Sequence, residues 1–153
     1  MSEIFKHKRI EDYLIAIYSL MKISSDGWVN NSSLAEFLGV SKSTTTEAVQ
    51  RLNNIGLCNY VPYRGVKLTI EGENLAFKYI LKREILECLY NYLLKFNIDE
   101  KVISEICSIE HYIDDKSVFR ICKVLNIPSQ CPHGNPLPCN NICLNGGKCP
   151  LEV

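Results

Sequence analysis

Three groups of residues in this 153-residue chain have types and spacings that can do chemistry. The first is Cys107, Glu110 and His111, which stand at i, i+3 and i+4 and share one face if the segment is helical. Thiolate, carboxylate and imidazole together form a donor set of intermediate softness, suited to Fe(II), Mn(II), Co(II) or Zn(II). Three donors do not complete a coordination sphere. The second group is Cys131, Cys139, Cys143 and Cys149, with seven, three and five residues between them. Four thiolates suit an iron–sulfur cluster or tetrahedral zinc. The lack of a CxxC pair disfavours a zinc ribbon and puts a cluster first, with zinc, disulfides or free thiols as alternatives. Pro150 directly after Cys149 echoes the Cys-Pro ending of bacterial ferredoxins. The third group is the hydroxyl-rich run Ser41-Lys42-Ser43-Thr44-Thr45-Thr46. At a helix start such a run joins unpaired backbone amides and a positive dipole, which suits phosphate.

Composition narrows the setting. Lys plus Arg and Asp plus Glu are 17 each, so the chain is formally neutral and nucleic-acid binding must rest on local charge. Residues 1–70 hold eight basic and six acidic residues, a net of +2; residues 71–153 hold nine and eleven, a net of −2. A hydrophobic fraction of 46% excludes a disordered chain. No run approaches eighteen apolar residues, and Met1 to Ile10 is charged, which argues against a membrane span and a secretory signal. Eight cysteines without an export signal then point to metal or redox chemistry in a reducing, cytoplasmic compartment. There is no nucleophile–base pair, phosphate loop or Gly-rich dinucleotide fingerprint, so an enzyme is not expected.

These groups need elements to position them. Ile10, Tyr13, Leu14, Ile17 and Met21 form one stripe of a helix over Arg9 to Ile23. A short helix follows from about Ser32 to Leu38, capped by Asn31 or Ser32, and Gly39 supplies a turn. Ser41 caps a third helix reaching Ile55, with Thr45, Val49, Leu52 and Ile55 on its inner face. Leu57–Val61 and Val66–Leu68 read as strands of a hairpin closed by Pro62-Tyr63-Arg64-Gly65. Thr69 caps a long helix to about Lys95, and helical stretches Asp99–Ile113 and Asp114–Leu125 come next. Five of the six prolines and four cysteines lie from residue 128 on, which excludes regular helix there.

The expected fold is mainly α: a winged helix-turn-helix over residues 1–72, a helical dimerisation and metal-binding domain over 73–128, and a Cys-rich tail over 129–153. In a winged helix-turn-helix the third helix enters the major groove. Ser41, Lys42, Ser43, Thr44, Thr45 and Thr46 at its start are then phosphate contacts. Glu47, Gln50 and Arg51 are candidates for base edges, and Arg64 and Lys67 on the hairpin for backbone phosphate.

Several motifs resemble a known family. They are Glu11-Asp12-Tyr13-Leu14, Leu34-Ala35-Glu36 with Gly39-Val40-Ser41, Arg51-Leu52 with Gly56-Leu57, Arg64-Gly65-Val66, Glu71-Gly72, and Pro132-His133-Gly134-Asn135-Pro136. Together they resemble the diphtheria-toxin-repressor and manganese-transport-regulator family of metal-dependent transcriptional repressors. The resemblance covers about residues 9 to 138. It implies a cytoplasmic homodimer on a palindromic operator in double-stranded DNA; the SH3-like third domain that some members carry is not expected in a chain of this length. It also implies a fourth metal ligand on the first helix, where Asp12 stands, completing a set of Asp12, Cys107, Glu110 and His111 for Fe(II) or Mn(II).

This chain also departs from that family. Arg83 stands where the family usually has a His, and Ile103 and Ile15 replace two further ligands. Arg stays protonated and cannot ligate a cation; the spacing lets it pair with Glu87 at i+4. An ancillary or dinuclear site is therefore not expected. Lost ligands beside an added cysteine cluster suggest that iron sensing has moved to the tail. The leading reading is an iron- or iron–sulfur-responsive repressor. The alternative is a metal-handling or redox interaction protein that keeps a winged helix without regulated operator binding.

Overall fold

The computed structural model describes residues 9–137 and 146–152. Cys139 and Cys143 lie outside the described residues. The chain forms two compact units that divide between Phe77 and Lys78.

The first unit contains α1 (Ile10–Ile23), α2 (Asn31–Leu38), α3 (Lys42–Asn54), β1 (Cys58–Val61) and β2 (Gly65–Leu68), and it includes the start of α4 (Ile70–Cys88). The α1 stripe is where periodicity puts it: Tyr13, Leu14 and Ile17 are buried, with Ile10 and Met21 packed at their edge. Asp12 closes the start of α1, its Oδ2 accepting the Arg9 amide at 2.9 Å. The cap of α2 is Asn30, one residue before the expected position; its Oδ1 accepts the Ser32 amide at 2.7 Å. Gly39, at φ +66°, ends α2 in the left-handed conformation that favours glycine. Ser41 caps α3 as expected, accepting the Thr44 amide at 3.1 Å. Thr45, Val49 and Leu52 are fully buried, but Ile55 is 61% exposed. The helix ends at Asn54 and the backbone leaves helical geometry at Ile55, so the period no longer carries that side chain inward.

The hairpin is antiparallel, pairing Cys58 with Leu68 and Val61 with Gly65. A two-stranded ribbon alone is marginal in water. Val29 adds a third edge by exchanging both backbone hydrogen bonds with Val66, at 2.8 and 2.9 Å. Gly65 permits this approach: at φ +120°, a Cβ there would lie 2.1 Å from the Val29 carbonyl oxygen. Val66 and Leu68 then reach the core shared with Leu14, Ile17, Leu34, Val49 and Leu52.

The second unit is built from the rest of α4, α5 (Glu100–Ile109) and α6 (Asp115–Val124). Regular α-helix ends at Cys88, short of the expected Lys95, and one π turn follows over Leu89–Leu93. The expected helix to Ile113 ends at Ile109, because a turn intervenes before Asp114 caps α6 by accepting the Ser117 amide at 2.6 Å. Leu86, Tyr90, Val102 and Ile106 form an apolar core. Lys78 and Lys82 on α4 reach Asp115 at 2.6 and 2.8 Å, and Lys82 also donates to the Ile113 carbonyl at 3.0 Å.

Burial works against ionisation of Asp115, but hydrogen bonds from Lys78 and Lys82 outweigh it and hold the carboxyl below its ordinary range. A carboxyl lowered in the folded state stabilises above its unfolded pKa of about 3.9, and that stability is lost as pH falls through the folded value. Asp115→Asn is expected to cost about 1–2 kcal/mol at neutral pH and to flatten the acid limb of stability. Urea melts from pH 7 to pH 3 read both effects.

Candidate metal centre and nucleic-acid interface

Ser41, Lys42, Ser43 and Thr44 are exposed around the start of α3. Their hydroxyls form a local network, with Ser41 Oγ 3.0 Å from Ser43 Oγ and 2.7 Å from Thr44 Oγ1. Thr45 must be taken out of the proposed contact set. It is fully buried, and its hydroxyl donates to the Ser41 carbonyl at 3.0 Å. Thr46 is half-buried; it donates to the Lys42 carbonyl at 2.9 Å and accepts from Asn31 Nδ2 at 3.3 Å, which ties α2 to α3. Glu47, Gln50 and Arg51 are exposed further along α3.

On the hairpin, the Arg64 guanidinium lies 4.3 Å from the centroid of the Trp28 ring. That stacking pre-orders a long cation that would otherwise lose more rotamer entropy on binding. Sequence reasoning passed over Trp28; the only cue was a lone tryptophan after a Ser-Ser-Asp-Gly turn. Lys67 is half-buried, its ammonium beside Gly27.

In the second unit, Glu110 closes α5 and its side chain is fully buried. An ionised carboxylate without water needs a cation or several donors. Arg83 supplies a two-pronged fork, Nε to Oε2 at 2.7 Å and a terminal nitrogen to Oε1 at 2.6 Å. The spacing pairs Arg83 with Glu87, one turn along the same helix; the guanidinium also crosses to Glu110, while its charge still acts on the Glu87 carboxyl. Glu87 is buried beside His133, with Oε2 3.2 Å from Nδ1. Burial pushes the Glu87 carboxyl up, against the pull of His133 and Arg83.

Cys107 is half-buried within α5. His111 belongs to the turn after α5, with Nε2 3.8 Å from Glu110 Oε1 and its ring tilted against Tyr79 at 6.1 Å. The expected single helical face thus holds for Cys107 and Glu110, while the turn positions His111. Asp12 belongs to the first unit, where it caps α1.

Of the tail thiols, Cys131 and Cys149 are described, and both are 3% exposed. Cys131 opens a turn, its carbonyl accepting from Gly134 and its amide donating to the Asn135 carbonyl, both at 2.9 Å. Cys88 packs next to this turn, donating through Sγ to the Gln130 carbonyl at 3.7 Å. Burial, then the proximity of Cys131, pushes the Cys88 thiol up to about 12. Cys58, Cys88 and Cys122 are buried, as expected of packed thiols, and Cys58 is pushed up to about 11 by burial. Among the described residues none of the six cysteines is joined to another by a disulfide.

Two family models match this chain: "Iron dependent repressor, N-terminal DNA binding domain" over residues 7–66, and "Iron dependent repressor, metal binding and dimerisation domain" over residues 69–139. The HTH-type transcriptional regulator MntR of Lysinibacillus sphaericus is 32% identical over 124 residues, 80% of this chain and 86% of that protein. The diphtheria toxin repressor of Corynebacterium glutamicum is 33% identical over 129 residues, 84% of this chain and 55% of that one. Among solved structures, the manganese regulator SloR superposes with a TM-score of 0.74 at 32% identity, covering 86% of this chain and 60% of SloR. This chain therefore spans little more than half the length of the second and third of these.

Removing the negative charge at Glu110 leaves Arg83 without its counter-ion. Glu110→Gln is expected to cost about 2–4 kcal/mol, read as a lowered denaturant midpoint. A loss below about 1 kcal/mol would assign the pair a surface-type role.

Proposed function

Because the chain belongs to the iron-dependent repressor family, we propose that it is a homodimeric, cytoplasmic transcriptional repressor that binds a palindromic site in duplex DNA and responds to iron supply. Its relatives are transcriptional regulators, and the family binds DNA and divalent metals. The observation that carries the DNA reading is the exposed, capped start of α3 with Arg64 stacked on the neighbouring hairpin. Phosphates meet the Ser41–Thr44 hydroxyls and amides and the charges of Arg64 and Lys67; Glu47, Gln50 and Arg51 face base edges.

Iron has two possible points of entry. The reading favours the thiols Cys131, Cys139, Cys143 and Cys149, holding an iron–sulfur cluster, with zinc as the alternative. Burial supports it: Cys131 and Cys149 are shielded from water and Cys131 lies close to the buried Cys88, a setting in which metal ligation gives a thiolate a compensating charge. The Fe(II) or Mn(II) reading of Asp12, Cys107, Glu110 and His111 stands second, since Glu110 already carries a cation in Arg83.

Arg64→Ala is expected to weaken operator binding in gel shifts and to lower the slope of log affinity against log salt by about one, the signature of one lost phosphate contact. An unchanged slope would remove Arg64 from the interface. For the cofactor, anaerobically purified protein is expected to contain iron and acid-labile sulfide and to absorb near ~400 nm, and Cys143→Ser is expected to abolish that absorption. Protein with bound zinc and no sulfide would decide for zinc.

A further inference from the structure

We propose that Arg83 is a permanent substitute for the divalent ion, so that the centre of Cys107, Glu110 and His111 is held by a guanidinium and does not take up Mn(II) or Fe(II). The inference rests on the family reading, because that reading is what leads an ion to be expected at these residues.

The contacts that the donor set makes argue against such an ion. Glu110 is the one fully buried carboxylate of the three-residue set, and both of its oxygens are spent on Arg83, at 2.6 and 2.7 Å. A side-on fork takes one lone pair on each oxygen, the same two sites that a cation chelated by both oxygens would use. The charges agree with this. Arg83 and Glu110 already sum to zero, and the neighbouring Glu87 has His133 beside it at 3.2 Å. A divalent ion would bring two positive charges against a carboxylate already neutralised, next to a guanidinium that cannot lose its proton. Displacing Arg83 would give up two short charge-assisted hydrogen bonds at Glu110 before an ion could share that carboxylate with Cys107 and His111. The residues therefore do not fit the family's ion, although the Cys107, Glu110 and His111 motif is intact.

The consequence is a regulator whose second unit has its metal-bound arrangement set by sequence instead of by supply. The signal then enters elsewhere, and the buried thiols are where this chain has added donors.

Mn(II) is the probe that isolates the centre, because it favours oxygen and nitrogen donors and leaves thiolates largely alone. Binding is followed by loss of the free-ion electron paramagnetic resonance signal on titrating the full chain. Wild type is expected to leave the free-ion signal intact. Arg83→His and Arg83→Ala, which remove the guanidinium, are expected to bind Mn(II) more tightly by on the order of tenfold or more. Saturable binding of one Mn(II) per wild-type chain overturns the proposal, as does a folded variant that binds no more tightly than wild type. Should neither variant fold by circular dichroism, the wild-type titration decides alone. A wild type that fails to shift DNA while the Mn(II) contrast holds refutes the operator reading and supports this one.

Discussion

A carboxylate removed from water must have its charge met, and at Glu110 that requirement organises the second unit. Ionised and unpaired, such a group costs several kcal/mol, or else takes up a proton. Its neighbours follow from the solution adopted. Arg83 crosses from α4 to the end of α5, and α5 stops where Glu110 must face inward. His111 then falls in the turn beside the carboxylate. Lys78 and Lys82 make a parallel connection from α4 to Asp115 at the start of α6. In both cases a cation on α4 meets an acidic residue at or near a helix end. Removing one member of such a pair is costly because the other stays behind, poorly hydrated.

The first unit depends on close approach of backbones. Gly65 lets β2 lie against Val29, and that bridge gives a hairpin of two four-residue strands a third edge. Gly72 works similarly at the start of α4, where a Cβ would lie 1.9 Å from the Leu57 carbonyl oxygen. Thr69 joins these pieces by donating to the Gly56 carbonyl at 2.8 Å and accepting from the Gly72 amide at 3.2 Å. The outcome is a fixed hairpin carrying Arg64 and a capped α3 whose first turn is open to solvent, which is the arrangement a groove-reading unit requires.

Much of this was legible before any coordinates. In the first unit α1 follows from apolar spacing, α2 and α3 from apolar spacing with a capping residue ahead, and the hairpin from two β-prone runs around Pro62 to Gly65. The misses have local physical causes. Asn30 won the α2 cap over its neighbours because its carboxamide reaches Ser32. Ile55 kept the helical period on paper, but the helix had already ended. Thr45 was counted both as an inner-face residue and as a DNA contact, and full burial keeps only the first. Around the metal motif, the residue types were visible and their partners were not. Spacing along one helix pairs Arg83 with Glu87, and only the packed chain adds the fork to the buried Glu110.

Sequence alone thus determined the family, the mainly α architecture with a winged helix-turn-helix, and the donor types at Cys107, Glu110 and His111. It could do so because periodicity, capping and turn chemistry are local and are written in consecutive residues. It also exposed Arg83, one of three positions, with Ile15 and Ile103, at which the chain departs from the pattern that the resemblance implies. Only the tertiary structure decided what that arginine does. Pairing across 27 residues depends on which carboxylate loses its water, and burial is a property of the packed chain that no local spacing encodes.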